Sequence, residues 1–365
     1  MRIGILTLPL HVNYGGILQA YALQTVLERM GHEVQVIGKD NIKDLPPFYK
    51  YIERGFNKFI LKKNVHIFAE RDSNHYLTAI CGEIQNFIDR HIHTFHVTSL
   101  DAISSSNFDA IVVGSDQIWR RFYFHIEYQR GMEDAFLFFS KDWSIKRVAY
   151  AASFGIDEWD YDEEETRKCT EMARTFKAIG VREKSAVELC QKHLSCKATH
   201  VLDPTMLLDK EDYIKLINSQ NIPQSDGDLL CYILDATSEK TAIVKQIVQE
   251  EKIRPFSVIA NEDHEVKPSV EYWLKGFSDA KFVVTDSFHA CVFSLIFNKP
   301  FVVIGNKERG LARIYSLLQM FGQEHRLILD KNKVDISKDL RKAPNVDLSL
   351  FQNESYHFLE QSLNS

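Results

Sequence analysis

Two α/β domains in succession, each built on a doubly wound parallel sheet, are predicted by three features of this 365-residue chain. The first is a strand–helix–strand opening over residues 2–37. The second is the polar stretch at 218–228, NSQNIPQSDGD, after which the strand–helix alternation starts afresh. The third is residues 281–303, KFVVTDSFHACVFSLIFNKPFVV. There an apolar strand runs through small polar residues into a helix, which Asn298-Lys299-Pro300 stops before a second strand. Two such domains joined by a linker hold their ligand in the cleft between them.

Each element follows from local pattern. Residues 2–8 read as a strand, His11 to Gly16 as a polar turn, and 17–30 as a helix with Leu23, Val26, Leu27 and Met30 on one face. Gly31 supplies a C-terminal cap and 33–37 the next strand. The Gly15-Gly16 pair lacks the spacing of a dinucleotide loop, so it reads either as a tight strand-to-helix turn or as a ligand loop. Residues 46–68 form an insertion that mixes aromatics with Lys50, Arg54, Lys58, Lys62 and Lys63. It reads as a solvated helix or as a basic amphipathic helix lying on an anionic membrane. A helical pattern spans 74–95, with Ile80, Ile84, Phe87 and Ile88 on one side. Strands follow at 108–113, 147–152, 178–181 and 200–202, with helices at 185–194 and from the acidic run 157–165. Beyond the linker come strands at 229–234, 255–259, 282–284, 301–304 and 326–329, and helices at 239–251, 269–277, after 285, 311–320 and 347–363. The expected division is 1–217, 218–345, and a terminal helix at 346–365 that could pack back on the first domain.

Composition narrows the function. Hydrophobic content of 45% and charged content of 26% are those of a soluble globular protein. A net charge of −6 gives no support for nucleic-acid binding. No apolar run reaches the roughly 20 residues of a membrane span, and the N-terminus lacks the pattern of a signal peptide. The six scattered cysteines contain no CxxC pair, so neither a disulfide frame nor a zinc site is expected, and the location expected is cytoplasmic. The start of the helix after Ser287 is the natural anion site, since its N–H groups and partial positive charge face the carboxyl end of a strand, with His289 in its first turn. Asp116, in the Gly-Ser-Asp after strand 108–113, reads as a helix cap or as a general base. Arg182, at another strand end, reads as an ion-pair partner or an anion ligand.

Several motifs in fixed order resemble the polysaccharide pyruvyl transferases. They are NYGGILQAYALQ (13–24), VVGSDQIW (112–119), AASFG (151–155), GVREKSA (180–186), LDPTMLL (202–208) and TDSFHACVFSLIFNKPF (285–301). The resemblance covers most of the chain and implies two Rossmann-like domains facing a GT-B-like cleft. It implies phosphoenolpyruvate as co-substrate, a pyruvate ketal formed across two sugar hydroxyls of a surface polysaccharide or its lipid-linked precursor, and no further cofactor or metal. A lipid-linked acceptor would place the protein at the inner face of the cytoplasmic membrane, where the 46–68 insertion could touch the bilayer.

Carried onto these residues, the resemblance makes His289 and Asp116 the catalytic pair. It assigns the donor to Arg182, Arg313, Thr285, Ser287 and Lys307, and the acceptor to Asn13, Tyr14, Gly15, Gly16 and Gln19. One position departs from the family pattern Ser-x-Arg-x-His: the arginine position holds Ser287, so another cation must meet the donor. Arg182 and Arg313, or Lys307 and Arg309, are the candidates. The competing expectations are a sugar-nucleotide glycosyltransferase of the same fold and a glycan-binding relative without chemistry. Nothing in the residues specifies the acceptor sugar or an oligomeric state.

Overall fold

A computed structural model of the chain describes residues 1–39, 45–62, 65–259, 266–305, 311–329 and 339–364. Seven strands form the first sheet: β1 (Arg2–Leu6), β2 (Glu33–Lys39), β3 (Thr94–Val97), β4 (Ala110–Val113), β5 (Lys146–Ala152), β6 (Ala178–Val181) and β7 (Thr199–His200). Their order is β3-β2-β1-β4-β5-β6-β7, and every pair is parallel. The second sheet takes β8 (Leu229–Tyr232), β9 (Pro255–Phe256), β10 (Phe282–Thr285), β11 (Phe301–Ile304) and β12 (Leu327–Ile328) in the order β12-β11-β10-β8-β9, again all parallel. The central strands β4 and β10 are buried along their whole length, as continuous runs of Val, Ile and Phe require when helices cover both faces.

Strand order reverses between β1 and β4 in the first sheet and between β10 and β8 in the second. At such a switch point the two following loops turn to opposite faces and leave a crevice at the carboxyl ends of the strands. The loops after β1 and β4 carry Asn13 and Asp116, the turn after β10 carries Ser287, and the first turn of the next helix carries His289. The strand expected at 200–202 is the two-residue edge β7, whereas β3, four residues of mixed exposure, and the helices Arg121–Tyr128 and Lys210–Asn218 are missing from the sequence pattern. The predicted 74–95 helix is broken into Ala69–His75, a π turn at Tyr76–Ile80 and Gly82–His91.

The helix Ser349–Asn364 packs back on the first sheet. Leu202 N–H donates to Ser355 Oγ at 3.1 Å, Tyr356 OH to Leu207 O at 2.7 Å, and Lys146 Nζ to Leu363 O at 2.6 Å. Phe358 lies 6.1 Å from Tyr150, ring to ring. The two sheets' domains also meet directly. Tyr14 stacks on Trp273 at 5.6 Å and donates its hydroxyl to Pro268 O at 2.7 Å, while Tyr213 meets Phe293 edge-on at 4.9 Å.

Candidate active site

The helix that begins the first domain's site starts earlier than its sequence suggests, at Tyr14, so Gly15 and Gly16 lie in its first turn and not in a turn before it. The reason is tertiary. A Cβ on Gly15 would overlap the His289 imidazole, which reaches across from the second domain. A Cβ on Gly16 would sit 3.2 Å from Asn13 Nδ2 and 3.4 Å from Asp116 Oδ2. Gly15 is therefore a clearance for the opposite domain's histidine, and Gly16 one for Asn13 and Asp116. Gly15→Ala is expected to lower turnover by about 10²-fold, the usual cost of moving a reacting group by about 1 Å. Steady-state rates would check it, and an unchanged rate would show that His289 need not hold this position.

Gln19 is fully buried and faces away from the cleft. Its Nε2 donates to Gly16 O at 2.8 Å and Thr7 Oγ1 at 3.0 Å. Its Oε1 accepts from Ser115 N at 2.9 Å and Ser115 Oγ at 2.6 Å. The amide thus pins the loop after β4 to the helix after β1, and an acceptor-binding role is replaced by a bracing one. Asp116, held by that loop, has φ +55°, in the left-handed region that a non-glycine residue seldom adopts.

A buried charge cluster forms the floor. Arg182 NH1 meets Asp203 Oδ2 at 2.9 Å, and its NH2 meets Asp116 Oδ1 at 3.3 Å. His289 Nε2 lies 3.8 Å from the same Asp203 oxygen, beyond hydrogen-bond length. Asn13 Nδ2 reaches Asp116 Oδ2 at 3.4 Å. Burial works against Asp116's charge, but Arg182, His289 and Arg313 outweigh it and hold the carboxyl below the usual aspartate range. Burial likewise opposes charge on Arg182, and Asp203, Asp116 and Glu183 overcome it. Glu183, which bonds Ser153 Oγ, is pushed up by burial despite Arg182 beside it. Burial lowers His289 to about 4 against the pull of Asp203 and Asp116, with Arg182 and Arg313 adding to the fall. The imidazole is therefore neutral at pH 7.

The structure sorts the predicted site residues. A cavity of about 600 Å³ lies between the domains, lined by Asn13, Tyr14, Gly15, Gly16, Asp116, Ser287, His289 and Arg313. Arg182 lies behind this lining, with a side chain 2% exposed. It cannot meet a donor as placed, because two carboxylates already occupy its fork. Thr285 is also withdrawn: its hydroxyl donates to Tyr232 O at 2.7 Å and accepts from Ser287 N at 3.0 Å, so it shapes the turn after β10. Lys307 lies outside the described residues, as does Arg309. Sequence reasoning passed over Asp203 as a contact of His289, and over Phe288, whose ring stands 4.6 Å from the Arg182 guanidinium and 5.5 Å from that of Arg313. Asp203 stood in the quoted LDPT motif, whereas nothing in the pattern marked Phe288.

Anion-binding capacity gathers on the second domain. Ser287 precedes the nine-residue helix Phe288–Ile296 and makes no side-chain cap bond, which leaves that helix's first amides to the cleft. Arg313, from helix Leu311–Met320, lines the cavity and is driven down to about 10 by burial and then by Arg182. A bound anion would reverse that shift. Arg313→Gln is expected to raise the KM for an anionic donor by roughly 10- to 100-fold, the worth of one or two charge-assisted bonds. Equal KM values would remove Arg313 from the donor site. The opposite wall has polar groups suited to hydroxyls: Asn13, Gln117, Tyr123, and the His11–Glu127 pair at 3.1 Å.

Two parallel-sheet domains with their switch points opposed, and a helix start facing a carboxylate across the cavity, define a GT-B-like fold with a two-sided cleft. The sequence matches the polysaccharide pyruvyl transferase family over residues 13–308, and the chain belongs to that family. No curated protein matches it. Among solved structures it is similar in fold to a UDP-GlcNAc 2-epimerase of Methanocaldococcus jannaschii in complex with UDP-GlcNAc and UDP. The TM-score is 0.50 at 12% identity, covering 100% of this chain and 99% of that one. The S. aureus MnaA–UDP co-structure is similar to the same degree, with TM-score 0.50 and 12% identity over 100% of this chain and 97% of the other.

Proposed function

We propose that the protein transfers pyruvate from phosphoenolpyruvate to two hydroxyls of a sugar in a surface polysaccharide or its precursor, forming a cyclic ketal and releasing phosphate. The observation that carries this reading is the two-sided cleft: an uncapped helix start, Arg313 and His289 on one wall, Asp116 with Asn13 on the other. The first wall suits the phosphate and carboxylate of the donor, and the second suits neutral hydroxyls.

The chemistry divides into two additions. One acceptor oxygen bonds to C2 of the enol as Asp116 takes the hydroxyl proton, and C3 gains a proton from His289. For that, His289 must be protonated, and the incoming anion supplies the negative charge that raises its pKa. The C2–O bond to phosphate then breaks, with Arg313 and the helix start stabilising the leaving group. The second hydroxyl bonds to C2 and gives its proton to the imidazole that protonated C3, Asp116 passes its proton to the departing phosphate, and the ketal and inorganic phosphate result. Phosphoenolpyruvate is the only co-substrate in this scheme.

A phosphate-release assay with purified protein, phosphoenolpyruvate and a panel of glycan acceptors tests the reading. Acceptor-dependent release is expected. Thermal stabilisation by UDP- or GDP-sugars and none by phosphoenolpyruvate would instead identify a sugar-nucleotide enzyme. Neither stabilisation by phosphoenolpyruvate nor release with any acceptor would favour a glycan-binding protein.

A further inference from the structure

The insertion between β2 and β3 contains a helix that turns its apolar side away from the protein. In Phe48–Phe59 no residue is buried. Phe48, Ile52, Phe56 and Phe59 follow the three-to-four-residue spacing of one helix face, and they are 77%, 61%, 56% and 72% exposed. The helix is fastened by its other side. Arg54 forms a two-pronged pair with Glu70 at 2.6 and 2.7 Å, and Tyr51 packs on Phe68 at 5.5 Å. A helix that served to cover a core would point the stripe inward.

We propose that this face docks the protein on an anionic lipid surface. Lys58 and Lys62 are exposed at the end of the same segment, positive charge beside the stripe in a chain of net charge −6. Their long stems let the ammonium groups reach headgroups while the aromatic stripe sinks among acyl chains. A second copy is a poor occupant, because a symmetric contact through this face would bring like-charged lysines together. The segment that follows the insertion reaches the cleft: Ile80 O accepts from the backbone of Lys267 at 2.8 Å, and Lys267 lines the cavity. Another exposed apolar pair, Phe122 and Ile126, sits on a helix whose Tyr123 and Glu127 line the same cavity. Docking would hold the cleft mouth near glycans carried on lipid, a consequence that rests on the pyruvyl-transfer reading, whereas the docking itself does not.

Co-sedimentation of the full chain with vesicles of phosphatidylglycerol and phosphatidylcholine, against phosphatidylcholine alone, tests this. The protein is expected to pellet with the anionic vesicles and to be released by high salt. The double variant Ile52→Asn/Phe56→Ser should bind them at least about tenfold more weakly, since two buried apolar side chains are lost. Its melting temperature, and its phosphate release with a soluble acceptor, should match the parent. Protein left in the supernatant with anionic vesicles would overturn the proposal. So would a dimer in solution that the double variant dissociates. Neither outcome bears on phosphate release, so the two readings fail separately.

Discussion

Replacing His289 with alanine is expected to lower phosphate release by about 10²–10⁴ with little change in melting temperature, the range for losing a positioned acid or base. The ring sits where both domains' charges converge, and its Nε2 is buried without a hydrogen-bond partner. Its titration provides a second readout. Burial lowers the imidazole to about 4, below the value near 6.5 of the unfolded chain. Between these values the unfolded state binds more protons, so stability falls as pH drops from about 6.5 to about 4, and the alanine variant should lack that part of the decline. Donor binding near neutrality should bring proton uptake as the anion raises the imidazole pKa. Calorimetry in buffers of different ionisation enthalpy would measure it. Equal uptake by parent and variant would place the catalytic proton elsewhere.

The second large effect is expected on stability. Arg182→Met leaves Asp203 and Asp116 buried without their shared guanidinium, and breaking such a group by removing one partner costs about 3–5 kcal/mol. For a domain of this size the melting temperature should drop by roughly 10 °C. The sign of its pH dependence is distinctive. In the parent, Asp116 is held below the usual range, so its contribution is present at neutral pH and lost as the pH falls through that lowered value. Without Arg182, burial favours the protonated carboxyl, and the gap between parent and variant should narrow on acidification. A gap that is constant from pH 7 to pH 4, measured by urea titration, would mean that the loss is one of packing. Arg182→Lys keeps the charge but not the fork, and should lie between the two.

The parts of the fold that were legible in the sequence are those set by local pattern. β1, β4, β10 and β11 are apolar runs bounded by turn residues, and the polar 218–228 stretch precedes β8. The convergence of Asn13, Asp116 and His289 was legible for the same reason, because each follows a strand end. What escaped was decided at a distance. Gly15 is glycine on account of a histidine in the other domain, which no neighbouring residue announces. Gln19 and Thr285 look like ligand donors by type, yet their polar atoms are consumed by backbone and side chains nearby. Arg182 occupies the expected strand end, but the carboxylate that claims it, Asp203, comes from the end of another strand.

The return of helix Ser349–Asn364 to the first sheet bears on how the protein is made. Leu202, Leu207 and Lys146 find hydrogen-bond partners in a segment synthesised after the whole second sheet. Gly180 of β6 packs against Phe358 of the same helix. On the ribosome the first domain must therefore wait, with one face of β5 and β6 uncovered, while the second emerges and folds. The first sheet is thus completed by residues that follow the whole second sheet in the chain.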